Sequence, residues 1–174
     1  MNEKLQPETV DSKIERPPYV YHGSVDGDVV TFVPRSATER PDEEAAVYAS
    51  PNIEIAKQSM ANRFVTNGGV VNGRHFVCIP LTKENFIKKD TGGYLYKLPC
   101  DSFAPNEGRG FGDDEWVSYE DVHPLSVEYF PSLYDVLIGQ GTEVYFITSK
   151  QVGEIEQLQD GDPEELERYL NALK

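Results

Sequence analysis

The chain has 174 residues, enough for one domain with a sizeable core and too few for two ordinary ones. Apolar residues make up 39% and aromatics 11%, which excludes wholesale disorder; 30 acidic against 16 basic residues give a net charge of −14, which sets most of the surface against bare nucleic acid and anionic membranes. Two cysteines exclude a disulfide framework, and a polar start with no apolar run of membrane-spanning length leads us to expect a cytoplasmic protein without a membrane partner.

Residues 1–16 are polar and lack periodicity, so they read as a loose tail stopped by Pro17-Pro18. Tyr19-Val20-Tyr21 then alternates as a strand and ends in His22-Gly23-Ser24, which places an imidazole and a backbone without a Cβ at its tip. Asp26-Gly27-Asp28 is a turn signal, residues 29–33 are extended, and residues 34–44 form a charged surface loop that includes Arg35. A strand over 45–49 leads into a helix start, with Ser50 as the capping hydroxyl and Pro51 at the first helical position. Ile53, Ala56, Met60 and Phe64 recur at helical spacing, and Asn67-Gly68-Gly69 reads as the stop.

Residues 74–79 predict a strand containing Cys78, residues 82–87 a helical turn, and residues 94–98 a strand closed by Pro99. Residues 100–114 are rich in Gly, Pro and Asn, a loop of the length that usually has a task. Alternation resumes over 115–119 and, after a bend at Glu120-Asp121, over 122–130. A short helix over 132–137 and a strand over 143–148 follow. The chain ends in a helix marked by Asp162, Pro163 and Glu165, with Leu166, Leu170 and Leu173 as its apolar stripe. The acidic clusters, densest over 154–167, read as solvated surface. Strands outnumber helices without alternating regularly with them, which predicts an α+β domain with antiparallel or mixed sheets. Three segments are expected: a flexible tail over 1–16, a domain over 17–149 and a helical extension over 150–174.

Three pieces stand out: His22-Gly23-Ser24 after the first strand, Tyr48-Ala49-Ser50 before a helix, and Glu115 at a strand start behind the glycine-rich loop. Taken singly they also suit a turn-capping histidine, a core aromatic and one more surface acid. In this order and setting they resemble the ADP-ribosyltransferase superfamily, in the His-Tyr-Glu branch that includes diphtheria toxin and the poly(ADP-ribose) polymerases. The stretches Val47-Tyr48-Ala49-Ser50-Pro51-Asn52 and Glu115-Trp116-Val117-Ser118-Tyr119 carry the likeness, which spans residues 19–130.

The resemblance implies split antiparallel or mixed sheets with flanking helices, and NAD as the substrate from which ADP-ribose passes to an acceptor or to water. It implies that His22 bonds the adenosine ribose, that the Gly23 backbone pairs with the nicotinamide carboxamide beside Ser24, and that Tyr48 stacks on the nicotinamide ring. Glu115 would hold the nicotinamide ribose and stabilise the oxocarbenium-like transition state. The family's second stacking aromatic falls at Ser59, with Phe64 as a replacement to consider, and Asp113 stands where arginine-directed members carry an acid. His75 and His123 read as structural, and no Cys/His cluster has metal spacing. A protein or small-molecule acceptor is favoured over nucleic acid by the charge. The competing expectations are an inert binding module or acidic inhibitor of the same fold, and, less well supported, an RNA 2′-phosphotransferase.

Overall fold

The computed structural model of the protein describes residues 16–36, 44–106 and 114–174. Its strands assort into three small sheets. In the first, β1 (Tyr19–Ser24), β5 (Gly93–Pro99) and β8 (Ser126–Phe130) are antiparallel in the order β1-β5-β8, with Val20 opposite Leu98 and Tyr94 opposite Tyr129. In the second, β7 (Trp116–Ser118) lies between β2 (Val47–Ala49) and the two-residue β6 (Ala104–Pro105). The third combines the β3 (Asn67–Val71) and β4 (Arg74–Ile79) hairpin with β9 (Glu143–Phe146), which runs parallel to β4. The chain is therefore α+β with antiparallel and mixed sheets.

The first two sheets are joined edge to edge by one reciprocal pair: Tyr21 N–H donates to Ser50 O at 2.7 Å, and Ser50 N–H donates to Tyr21 O at 2.9 Å. Between them lies a core of Val20, Leu98, Phe103 and Trp116, with the Tyr96 hydroxyl donating to Asp26 O at 2.7 Å and so anchoring the turn after β1. A second core places Met60, Ile79, Phe86, Leu133 and Leu137 among α1 (Ile53–Ser59), α2 (Lys83–Lys89) and α3 (Leu133–Gly139). A third packs Ile155 of α4 (Ser149–Gln159) and Leu166 and Leu170 of α5 (Pro163–Ala172) on Phe76 and Tyr145. Among the described residues no helix is long and apolar enough to cross a membrane.

Several local expectations need correction. Helix α1 is capped by Asn52, whose Oδ1 accepts from Glu54 N–H at 3.1 Å; the Ser50 backbone is already engaged with Tyr21, so the helix starts later than a Ser-Pro signal predicts. The helix also ends at Ser59, and Asn67-Gly68-Gly69 belongs to β3, not to a helix stop. The hairpin turns at Asn72 (φ 49°) and Gly73 (φ 76°), an Asn-Gly pair that supplies the two left-handed residues a tight turn needs. Only residues 126–130 of the expected 122–130 strand are ladder-paired with β5; Val122 instead exchanges backbone bonds with Phe32 at 2.8 and 2.9 Å. Helix α4 turns Val152, Ile155 and Leu158, at three-residue spacing, to the third core, with Ile155 alone fully buried, and its start is fixed by a Thr148/Gln151 capping box.

Candidate active site

Strand β1 brings His22 against β2, where the imidazole Nδ1 lies 2.7 Å from the Tyr48 carbonyl. A carbonyl can only accept, so Nδ1 carries the proton and Nε2 keeps its lone pair. Burial lowers the pKa of His22 and outweighs the opposing bond to Tyr48, so the ring is held neutral. Phe32 braces it, with ring centroids 4.7 Å apart and tilted, and rests in turn edge-on to Tyr96 at 5.0 Å.

Gly23 follows on the same strand. In an antiparallel ladder, successive residues turn their N–H and C=O to opposite edges. Tyr21 gives both groups to Ser50, so those of Gly23, two residues on, face that same edge, away from β5. A Cβ at Gly23 would sit 2.0 Å from Ala56 O, 2.5 Å from Ser59 Oγ and 2.9 Å from Met60 Cγ. Glycine is thus required by the approach of α1 to the strand, a reason the sequence did not disclose.

Glu115 immediately precedes β7 and is only 6% exposed. Asn106 grips it twice: its backbone N–H donates to Glu115 O at 2.8 Å, and its Nδ2 donates to Glu115 Oε1 at 2.6 Å. Asn106 was invisible as a site residue because its role arises only when the ends of a long loop are brought together.

His22, Gly23, Tyr48, Ser59 and Glu115 line one cavity of about 270 Å³. His22 and Tyr48 also line an adjoining cavity of about 290 Å³ with Ser24, Asp26, Phe32 and Arg35. The two share a wall and together fall in the ~300–1,000 Å³ range of small-molecule sites. The structure therefore brings the three separated residues together, with Ser24 one step along. Ser59 does lie in the cavity, but its hydroxyl donates to Ala56 O at 2.7 Å. Phe64 does not replace an aromatic there; it packs edge-on against Phe86 at 5.0 Å in the second core. Asp113 lies outside the described residues. His123 Nδ1 sits 3.1 Å from both Thr31 Oγ1 and Val30 O, tying the chain near Val122 to the turn after β1. Among the described residues, no group of three or more His, Cys, Asp or Glu side chains is placed to hold a metal ion.

No family model matches the chain, and neither a curated protein nor a solved structure is detectably similar to it.

Proposed function

We propose that the protein is an NAD-dependent ADP-ribosyltransferase with the split-sheet fold of the His-Tyr-Glu branch, cleaving the nicotinamide–ribose bond and passing ADP-ribose to a protein or small-molecule acceptor. The observation that carries this reading is the convergence of His22, Gly23, Tyr48 and Glu115 on one cavity, from chain positions up to 93 residues apart.

The residues fit the dinucleotide chemically. A carboxamide has a donor and an acceptor side by side, and the outward-turned N–H and C=O of Gly23 are their complement. Neutral His22 would offer Nε2 to a ribose hydroxyl, Tyr48, which lines both cavities, would supply a π face to a cationic pyridinium, and Arg35 in the adjoining cavity would offer a charge to a pyrophosphate. NAD supplies a leaving group that departs neutral and a ribose carbon that turns positive. Glu115, sheltered from water and held by Asn106, places its carboxylate where such charge is stabilised most strongly.

Glu115→Gln keeps the shape and the bond from Asn106 while removing the charge. Nicotinamide release from NAD by the wild type is expected to fall about a hundredfold or more in the variant, with an unchanged melting temperature. Inert wild-type protein, or a variant as active as its parent, overturns the reading.

A second reading, an inert binding module of the same fold, draws on Ser59. With a hydroxyl at that position, one face of the nicotinamide site lacks an aromatic ring. Saturating NAD that raises the melting temperature without any nicotinamide release would favour it.

A further inference from the structure

Strand β8 forms one edge of the first sheet, opposite the edge on which β1 carries Gly23. Among the described residues β5 is its one strand partner, and Ser126, Val127, Glu128 and Tyr129 are all exposed. The direction of its peptide groups follows from the ladder. Tyr21 turns its N–H and C=O to Ser50, so Lys97, directly opposite Tyr21, turns its own to β8, where its carbonyl accepts from Leu125 N–H at 2.8 Å. Leu95 and Gly93, two and four residues earlier, face the same way, and Glu128 and Phe130 opposite them face β5 in return. Val127 and Tyr129, the alternate residues, therefore turn both their N–H and their C=O groups to the open side.

The side chains alternate as well. Val127 and Tyr129 stand on one face, 49% and 51% exposed, with the Tyr129 ring 4.9 Å from that of Tyr94 and its hydroxyl donating to Thr91 O at 3.1 Å. Glu128 stands on the other face, which it shares with Lys97. Lys97 Nζ lies instead over the Tyr19 ring, 3.5 Å from its centroid, and among the described residues no cation pairs with Glu128. Edge strands are usually blunted by proline or lysine, and residues 126–130 hold neither.

We propose that β8 docks an extended segment of a partner protein as a fourth, antiparallel strand, and that this segment sets apolar, basic and apolar residues opposite Tyr129, Glu128 and Val127. Bonding all four open groups places Val127 and Tyr129 in hydrogen-bonded pairs. Glu128 then falls in the intervening non-bonded pair, where opposing Cα atoms are ~4.5 Å apart and side chains meet most closely. A second copy of the chain is disfavoured in that register. It would set Val127 of one copy against Tyr129 of the other, and so Glu128 directly against Glu128, where like charges destabilise a sheet. The same carboxylate favours a Lys or Arg, while Val127 and Tyr129 on the opposite face take apolar or β-branched neighbours. The net charge of −14 adds a long-range attraction for a basic segment. Since β5 and β8 both lie between this edge and Gly23, docking is separate from the chemistry at Glu115 and does not rest on the transferase reading.

The test titrates the full chain with three synthetic peptides and follows its backbone amides by NMR. The peptides are Ser-Thr-Val-Lys-Val-Thr-Ser, its counterpart with Glu in place of Lys, and the Lys peptide N-methylated at both valines. The Lys peptide should bind and shift the Val127 and Tyr129 amides, with the Glu peptide about fivefold weaker. N-methylation removes the donors aimed at the edge and should abolish binding. Glu128→Lys alters an exposed side chain and should reverse the order of the two charged peptides. Val127→Pro removes an N–H that the β5 ladder does not use and should weaken the Lys peptide about tenfold; Glu128→Lys keeps the test decisive should that variant fail to fold. An unbound Lys peptide, equal binding of the Lys and Glu peptides, or an order that Glu128→Lys leaves unchanged overturns the proposal. So does a wild-type chain whose Val127 and Tyr129 amides shift with its own concentration, since β8 would then pair with a second copy.

Discussion

Gly23→Ala tests the closest contact in the site. The added methyl would lie 2.0 Å from a main-chain oxygen, that of Ala56, and 2.5 Å from Ser59 Oγ. A carbon and an oxygen need more than 3 Å, so α1 must retreat from β1 by about 1 Å or the strand must bend. Neither is cheap, because Ala56 and Met60 are 3% and 1% exposed and are packed on their other sides. Overpacking of this kind costs about 1–3 kcal/mol, and contact with rigid backbone puts this case at the upper end. For a chain of 174 residues, ~3 kcal/mol corresponds to a fall of roughly 6–12 °C in melting temperature. Gly153→Ala is the control: it lies within α4 with nothing inside 4 Å of an added methyl, and should stabilise by about 0.5–1 kcal/mol. Thermal melts followed by circular dichroism measure both. A Gly23→Ala protein as stable as its parent would refute the close approach of α1 to β1, and with it the shape of the cavity they share.

Other expectations follow from single contacts. Asn106→Ala removes the 2.6 Å bond that orients Glu115; kcat for nicotinamide release should fall about tenfold or more with KM for NAD nearly unchanged, since Asn106 does not line the cavity. The pKa of His22 is lowered from 6.5 in the folded chain, so the unfolded chain binds the proton more readily. Its stabilising contribution is complete above about pH 6.5 and is lost as the pH falls from there through the folded value. The stability gap between the wild type and His22→Asn, measured by urea titration, should narrow over that interval and stay constant above it. Leu170→Ala empties a site that is 1% exposed in the third core and should cost about 2–5 kcal/mol in the same titration, while nicotinamide release by the folded fraction is unaffected.

How much of this was legible beforehand varies with the range of the forces involved. Residues 74–79 form the predicted strand end to end, and Thr82, Ser132 and Asp162 cap their helices, because a capping oxygen and an apolar run act within one turn. Ser50 was misread as a cap because its backbone is claimed by Tyr21, 29 positions away. Gly68-Gly69 looked like a helix stop because nothing nearby announces β4 as a partner. The order of His22, Tyr48 and Glu115 was readable, since each lies within or directly beside a short strand and has a recognisable neighbour. Asn106 was not, because its hold on Glu115 joins the two ends of a long loop and has no local signature.

The single pair that joins the first two sheets has a further implication. Where a strand lacks a neighbour beyond a single closing pair, its peptide groups present a donor and an acceptor where most clefts present side chains. A peptide group cannot be exchanged by replacing one amino acid with another. Substitutions around Gly23 can therefore block this edge or tilt it, but they cannot rewrite the donor-acceptor pattern that it displays.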